Sequence, residues 1–253
     1  GLGRCFYSSG AHAEAQKWLS QYIRLQPDAS HSGWADAHRM LADCKRRQGQ
    51  LEVASKLYYQ ALAGELGEDD RTDALLGLAN VQMQRQRHVR ALSVLDDLDG
   101  RTLEPARRCE VLRLKARALR KLNLPGRAVS LLQQATKDTD DAYLRALLES
   151  ELARALSEVG ELDYAEQLLK NVLLELPDGP EAWRAACDLG EISLRRDNCD
   201  QAIVVLKGVV QSDLPHELHR RASGILQKAY LMKKQLDRAA GTLLPRRPRG
   251  AGR

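Results

Sequence analysis

Phenylalanine occurs once in this chain, at Phe6, and aromatic residues make up 4% of its 253 residues. A single core of that length draws on bulky side chains at its centre, so the shortage points away from one thick core and towards many thin contacts built from Leu and Ala. No apolar run approaches the roughly 18 residues that a membrane-spanning helix needs. The residues after Gly1 lack the basic-then-apolar order of a secretory leader. The five cysteines, Cys5, Cys44, Cys109, Cys187 and Cys199, form no CxxC pair and no Cys/His cluster with zinc spacing. They read as reduced, small, half-buried residues. There is no Gly-rich phosphate loop, no GxSxG, no HExxH and no paired carboxylate set, so no catalytic residue, cofactor or metal is expected. Charge is also modest. The 39 Lys+Arg against 34 Asp+Glu leave +5, which does not by itself indicate nucleic acid.

What the chain does have is periodicity. With 43% apolar and 29% charged residues it is able to fold, and comparison of the sequence with itself shows how. A short pattern centred on alanine, with Leu or Tyr four places later, recurs at Ala15, Ala54, Ala91, Ala128, Ala165, Ala202 and Ala239, at intervals of 39, 37, 37, 37, 37 and 37 residues. Each period divides into two helices. Before the anchor, apolar residues recur at three and four places, as in Leu144, Leu147, Leu148, Leu152, Ala155, Leu156 and Val159. A corner residue follows, at Gly10, Gly49, Asn123, Gly160 and, in the same register, Asp197. A second helix carries the anchor, whose small side chain lets the pair close to about 8–10 Å. Pro27, Pro105, Pro177, Pro180 and Pro215, near Asp28, Asp178 and Asp213, separate one pair from the next. No strand is expected. The run Ile203, Val204, Val205, Leu206 stays in helical phase with Ala202.

This pattern resembles the tetratricopeptide repeat, a helix–turn–helix unit of about 34 residues that stacks into a solenoid. Leu152, Ala153, Leu156, Gly160, Leu162, Ala165, Leu169, Val172 and Pro177 carry the likeness most fully, and Leu41, Ala42, Gly49, Leu51, Ala54, Tyr58 and Ala61 repeat it. Here the period is 37, the family's first-helix Trp and Tyr are absent, and Ala79, Ala116, Ala153 and Gly190 keep only the small-residue site. The resemblance implies an all-α solenoid of antiparallel helix pairs: one array over residues 1–244, in about seven repeats with the first truncated, then a disordered basic tail at 245–253.

It also implies a concave groove lined by one face of each first helix. Carried onto this chain, those sites lie 18, 15, 11, 8 and 7 residues before each anchor, a single helical stripe. The stripe contains Arg39, Asp43, Arg46 and Arg47; Leu76 and Asn80; Arg113, Arg117, Arg120 and Lys121; Arg154; Arg184 and Arg195; and Arg221 and Lys228. With Arg4 added from the first repeat, the full set holds 13 basic and six acidic residues, a balance of +7. The reading is a non-catalytic protein-interaction scaffold that binds an extended acidic peptide or a C-terminal carboxylate through arginine forks. Leu76, Leu147, Leu194 and Met232 would be apolar footholds.

Two further classes stay open: a nucleic-acid-binding helical repeat, and the regulatory repeat segment of a larger enzyme or a secretion or envelope assembly. The histidines are scattered, and His216 and His219 read as polar residues of a first turn. The chain starts without Met inside a helical pattern. The expectation is therefore a cytoplasmic protein, with a periplasmic or membrane-tethered one if an upstream segment exists.

Overall fold

The computed structural model describes residues 1–26, 33–211 and 215–243. Pro27, Asp28, His31, Asp213, Leu244 and the basic tail at 245–253 lie outside the described residues. Those described form thirteen helices and no strand. None of the helices is long and apolar enough to cross a membrane among the described residues. The chain divides into two compact units, Gly1–Leu131 and Leu132–Arg253.

In the first unit, α1 (Leu2–Ser8), α3 (Trp34–Arg47), α5 (Glu68–Gln84) and α7 (Pro105–Lys121) are first helices, and α2 (His12–Leu25), α4 (Leu51–Ala63) and α6 (His88–Asp96) are second helices. Helix α8 (Pro125–Lys137) spans the division between the units. The second unit holds first helices α9 (Ala142–Val159), α11 (Pro180–Arg195) and α13 (His216–Leu243), with second helices α10 (Leu162–Glu175) and α12 (Cys199–Val210). Within each unit consecutive helices pack together. First helices also touch the next first helix: α1 on α3, α3 on α5, α5 on α7, and α9 on α11, α11 on α13. One layer of first helices is thus continuous within each unit, and these helices carry the residues expected to line the groove.

Small residues make these contacts possible. The anchors Ala15, Ala54, Ala91, Ala128, Ala165 and Ala202 are fully buried, as are the first-helix residues Ala42, Ala79, Ala116 and Ala153. At Gly190, which continues that series, an added Cβ would stand 2.8 Å from Leu206 Cδ1. Leu95, Leu132, Leu169 and Leu206, four places after their anchors, are fully buried, and Tyr58 holds the same place in its repeat. Leu and Ala therefore supply the core that the missing aromatics do not.

Every hairpin turns at the same kind of corner. Gly10, Gly49, Gln86, Asn123, Gly160 and Asp197 have φ of 79°, 75°, 58°, 60°, 95° and 57°. The next N–H returns to a carbonyl five residues back, as in Gln50 to Lys45 (2.9 Å), Arg87 to Gln82 (2.9 Å) and Asn198 to Ser193 (2.8 Å). This is the left-handed helix C-cap that closes orphan carbonyls. Gln86 was not among the corner residues expected from sequence, because glutamine is a poor left-handed residue.

The seventh hairpin is different. Its corner would fall at Lys234 and its small first-helix residue at Gln227, yet α13 runs unbroken from His216 to Leu243. A lysine without a positive φ continues the helix, and the exposed glutamine occupies the place where an alanine would admit a partner helix.

Candidate functional site

The stripe on α3 is built around Arg39, whose side chain is only 10% exposed. Its Nη2 lies 2.6 Å from Asp36 Oδ1 and 2.9 Å from Asp70 Oδ1, and its Nη1 lies 3.8 Å from Asp43 Oδ2. Arg4 of α1 pairs with the other oxygen of Asp36. Asp43 in turn accepts from Tyr7 Oη at 2.8 Å and Tyr58 Oη at 2.5 Å, with Arg46 Nη2 at 3.6 Å. Burial, reinforced by Asp43, pushes the Tyr7 phenol up to about 12 and moves Tyr58 the same way. Both rings thus stay protonated donors. Burial works against the charge on Arg39, but Asp36 and Asp70 outweigh it and hold the guanidinium more firmly cationic.

Here the expected basic face is corrected. Arg4, Arg39 and Arg46 face Asp36, Asp43 and Asp70, so this part of the stripe is close to neutral. Asp70 lies one turn outside the five positions and was not counted. On α5, Leu76 is buried in the apolar core and offers no foothold. Asn80 donates from Nδ2 to the Leu76 carbonyl at 3.0 Å. Asp73 is pushed up by burial, against the pull of Arg107 and Arg39.

Helix α7 carries the most basic stretch. Arg113, Arg117 and Arg120 are half-buried and Lys121 is exposed, and their spacing places all four along one side of the helix. Lys115 faces elsewhere. It is held by Asp96 at 2.8 Å and Asp99 at 2.7 Å. Burial alone would lower its ammonium, and those two carboxylates raise it instead.

The second unit repeats the internal pairing. Arg154 of α9 donates from Nε to Asp188 at 2.6 Å and from Nη1 to the fully buried Glu151 at 2.9 Å. Arg221 of α13 reaches the other oxygen of Asp188 at 2.5 Å and Glu191 at 3.1 Å. Asp188 therefore ties α9, α11 and α13 together. Arg184 pairs with Glu181 at 2.9 Å. Arg195 donates to the Ser157 carbonyl and hydroxyl, both at 2.7 Å. Lys228 is exposed, Leu194 and Met232 are half-buried, and Leu147 is buried rather than offered as a foothold. Cys44, Cys109, Cys187 and Cys199 are buried and Cys5 is exposed, all as free thiols. Burial pushes the Cys187 thiol up to about 11.

Sequence reasoning missed Glu151 and Asp188. Glu151 was legible as the i,i+3 partner of Arg154. Asp188 was not, because its arginines come from the repeats before and after it.

Residues 39–102 match the family model of the tetratricopeptide repeat. No curated protein matches the chain in sequence. Among solved structures, a tetratricopeptide repeat protein from Parabacteroides merdae superposes with a TM-score of 0.69 at 17% identity, covering 93% of this chain and 94% of that one. PilF from Pseudomonas aeruginosa gives 0.63 at 17% identity, covering 88% and 94%. A chain of the APC/C Cut9–Hcn1 hetero-tetramer gives 0.66 at 18% identity, with 90% of this chain covering 41% of that one. With its helix pairs, its small-residue interfaces and its repeated corners, the chain has the fold of these tetratricopeptide-repeat proteins, and residues 39–102 carry the family's sequence pattern.

Proposed function

We propose that this chain is a non-catalytic scaffold that takes an extended acidic segment of a protein partner against its first-helix face. Tetratricopeptide-repeat proteins bind protein or peptide partners, and the match over residues 39–102 supports a function of that class. The acidic preference rests on one observation. Between Pro105 and Lys121, α7 has seven Arg and Lys residues against a single acid, Glu110, and Arg113, Arg117, Arg120 and Lys121 share one side of it. Four cations along one side of a helix match a carboxylate-bearing segment, which arginine forks bind by charge-assisted hydrogen bonds. Arg39, Arg154 and Arg221 are tied to acids of neighbouring repeats and serve the stacking of helices.

The test is affinity capture by the full chain and by the triple variant Arg113→Glu, Arg117→Glu, Arg120→Glu, with far-ultraviolet circular dichroism and melting recorded for both. Capture of acidic partners should be lost while helicity is kept, and retained capture would overturn the reading. A triple Arg→Gln variant removes the charge without reversing it and guards against unfolding. Binding that falls steeply with salt and ignores peptide sequence would instead indicate phosphate contacts and a nucleic acid.

A further inference from the structure

The basic residues of the first unit are not evenly spread along the ends of its first helices. The last turn of α3 carries Lys45, Arg46 and Arg47, of which Arg46 faces Asp43, and the last turn of α7 carries Arg120 and Lys121. Helix α5, which packs between them, has no basic residue in its last turn. Met83 and Gln84 hold the corresponding places there. The helix dipole favours cations at C-termini, but it acts on α5 as much as on its neighbours and does not account for the gap. Arg85, which follows α5, is drawn to Glu52 at 3.1 Å. Arg47 and Lys121 are exposed, Met83 is half-buried, and all of them lie at one end of the first-helix layer. The other end is acid-rich, with Glu68, Asp69 and Asp70 in the first turn of α5.

We infer that this rim reads a spacing: its occupant is an extended protein segment with two acidic clusters separated by an uncharged stretch, whose central apolar side chain lies over Met83. The inference rests on the acidic-segment reading above and adds where the segment lies and how its charges are arranged. Packed helices stand about 8–10 Å apart, so α3 and α7 are separated by roughly 16–20 Å across α5. An extended chain crosses that distance in about five or six residues at about 3.3 Å each.

Two labelled peptides of equal composition test this against the full chain by fluorescence anisotropy at low salt: Glu-Glu-Ser-Leu-Ser-Ser-Glu-Glu and Ser-Ser-Glu-Glu-Glu-Glu-Leu-Ser. The split peptide should bind about fivefold more tightly. Arg47→Glu and Lys121→Glu should each erase that preference without moving the melting curve, since both side chains are exposed. Equal affinity for the two peptides, unchanged in either variant, overturns the spacing and leaves the acidic-segment reading standing. Binding of neither peptide above that of a version with Lys in place of Glu overturns both.

Discussion

At Gly77 an absent methyl group matters more than most side chains present. An added Cβ there would run into the ring of Tyr58, the one aromatic at a position that is leucine in all five later repeats of the sequence. Gly77→Ala should therefore cost about 1–3 kcal/mol through overpacking. Tyr58→Leu should recover part of that loss in the double variant, a coupling that a denaturant double-mutant cycle will measure. Gln86 presents the opposite case. Its φ of 58° sits where glycine is comfortable and glutamine is not, so Gln86→Gly should gain about 1 kcal/mol, seen as a higher unfolding midpoint. The other five corners were legible from Gly, Asn or Asp. At Gln86 only the 37-residue phase pointed to a corner, and local residue chemistry pointed away from one.

At the scale of helices, the ionic contacts act as cross-ties more than as a display of charge. Asp188 joins Arg154 and Arg221 from the helices on either side. Asp188→Ala leaves two arginines without their common acceptor and should cost about 3–5 kcal/mol, measured by urea unfolding. Glu166 of α10 meets Lys170 at 2.7 Å, Arg196 at 2.6 Å and Gln201 at 2.9 Å. Hydrogen bonds from Lys170 and Gln201 lower its pKa against the effect of burial. A lowered folded-state value means that the stabilisation is complete above the ordinary glutamate value of about 4.3 and is lost as pH falls through the folded value below it. The melting temperatures of wild type and Glu166→Gln should differ at neutral pH and converge on acidification below that value. Helix periodicity was readable because it repeats within one segment. These ties were not, because each acid finds its base in another repeat, at a separation of 33 for Asp188 to Arg221 and 30 for Glu166 to Arg196.

At the scale of the whole molecule, the helix contacts within each unit run, among the described residues, to the next helix or the next but one, so stability should be local. Leu95→Ala and Leu206→Ala each empty a fully buried site and should cost about 2–5 kcal/mol. Hydrogen exchange should show the first loosening amides of α5 and α6 and leaving α11 and α12 protected, with the second doing the reverse. The architecture was legible because a scarcity of aromatics and a constant interval both require thin, repeated interfaces. The last hairpin shows where that inference stops: the interval continues to Ala239, but Gln227 and Lys234 lack the chemistry of a hinge and α13 runs unbroken.

The evenly placed corners also determine which changes in chain length the fold tolerates. Deleting residues 87–123 would splice Gln86 onto Leu124, one left-handed corner onto the exit of another, with every downstream side chain still facing its own layer. Adding one residue within α7 would rotate everything after it in that helix by about 100°, turning buried positions outward. The molecule should therefore accept growth or shrinkage in whole periods and resist it in single residues, as a zip accepts lost pairs of teeth but not a shifted one.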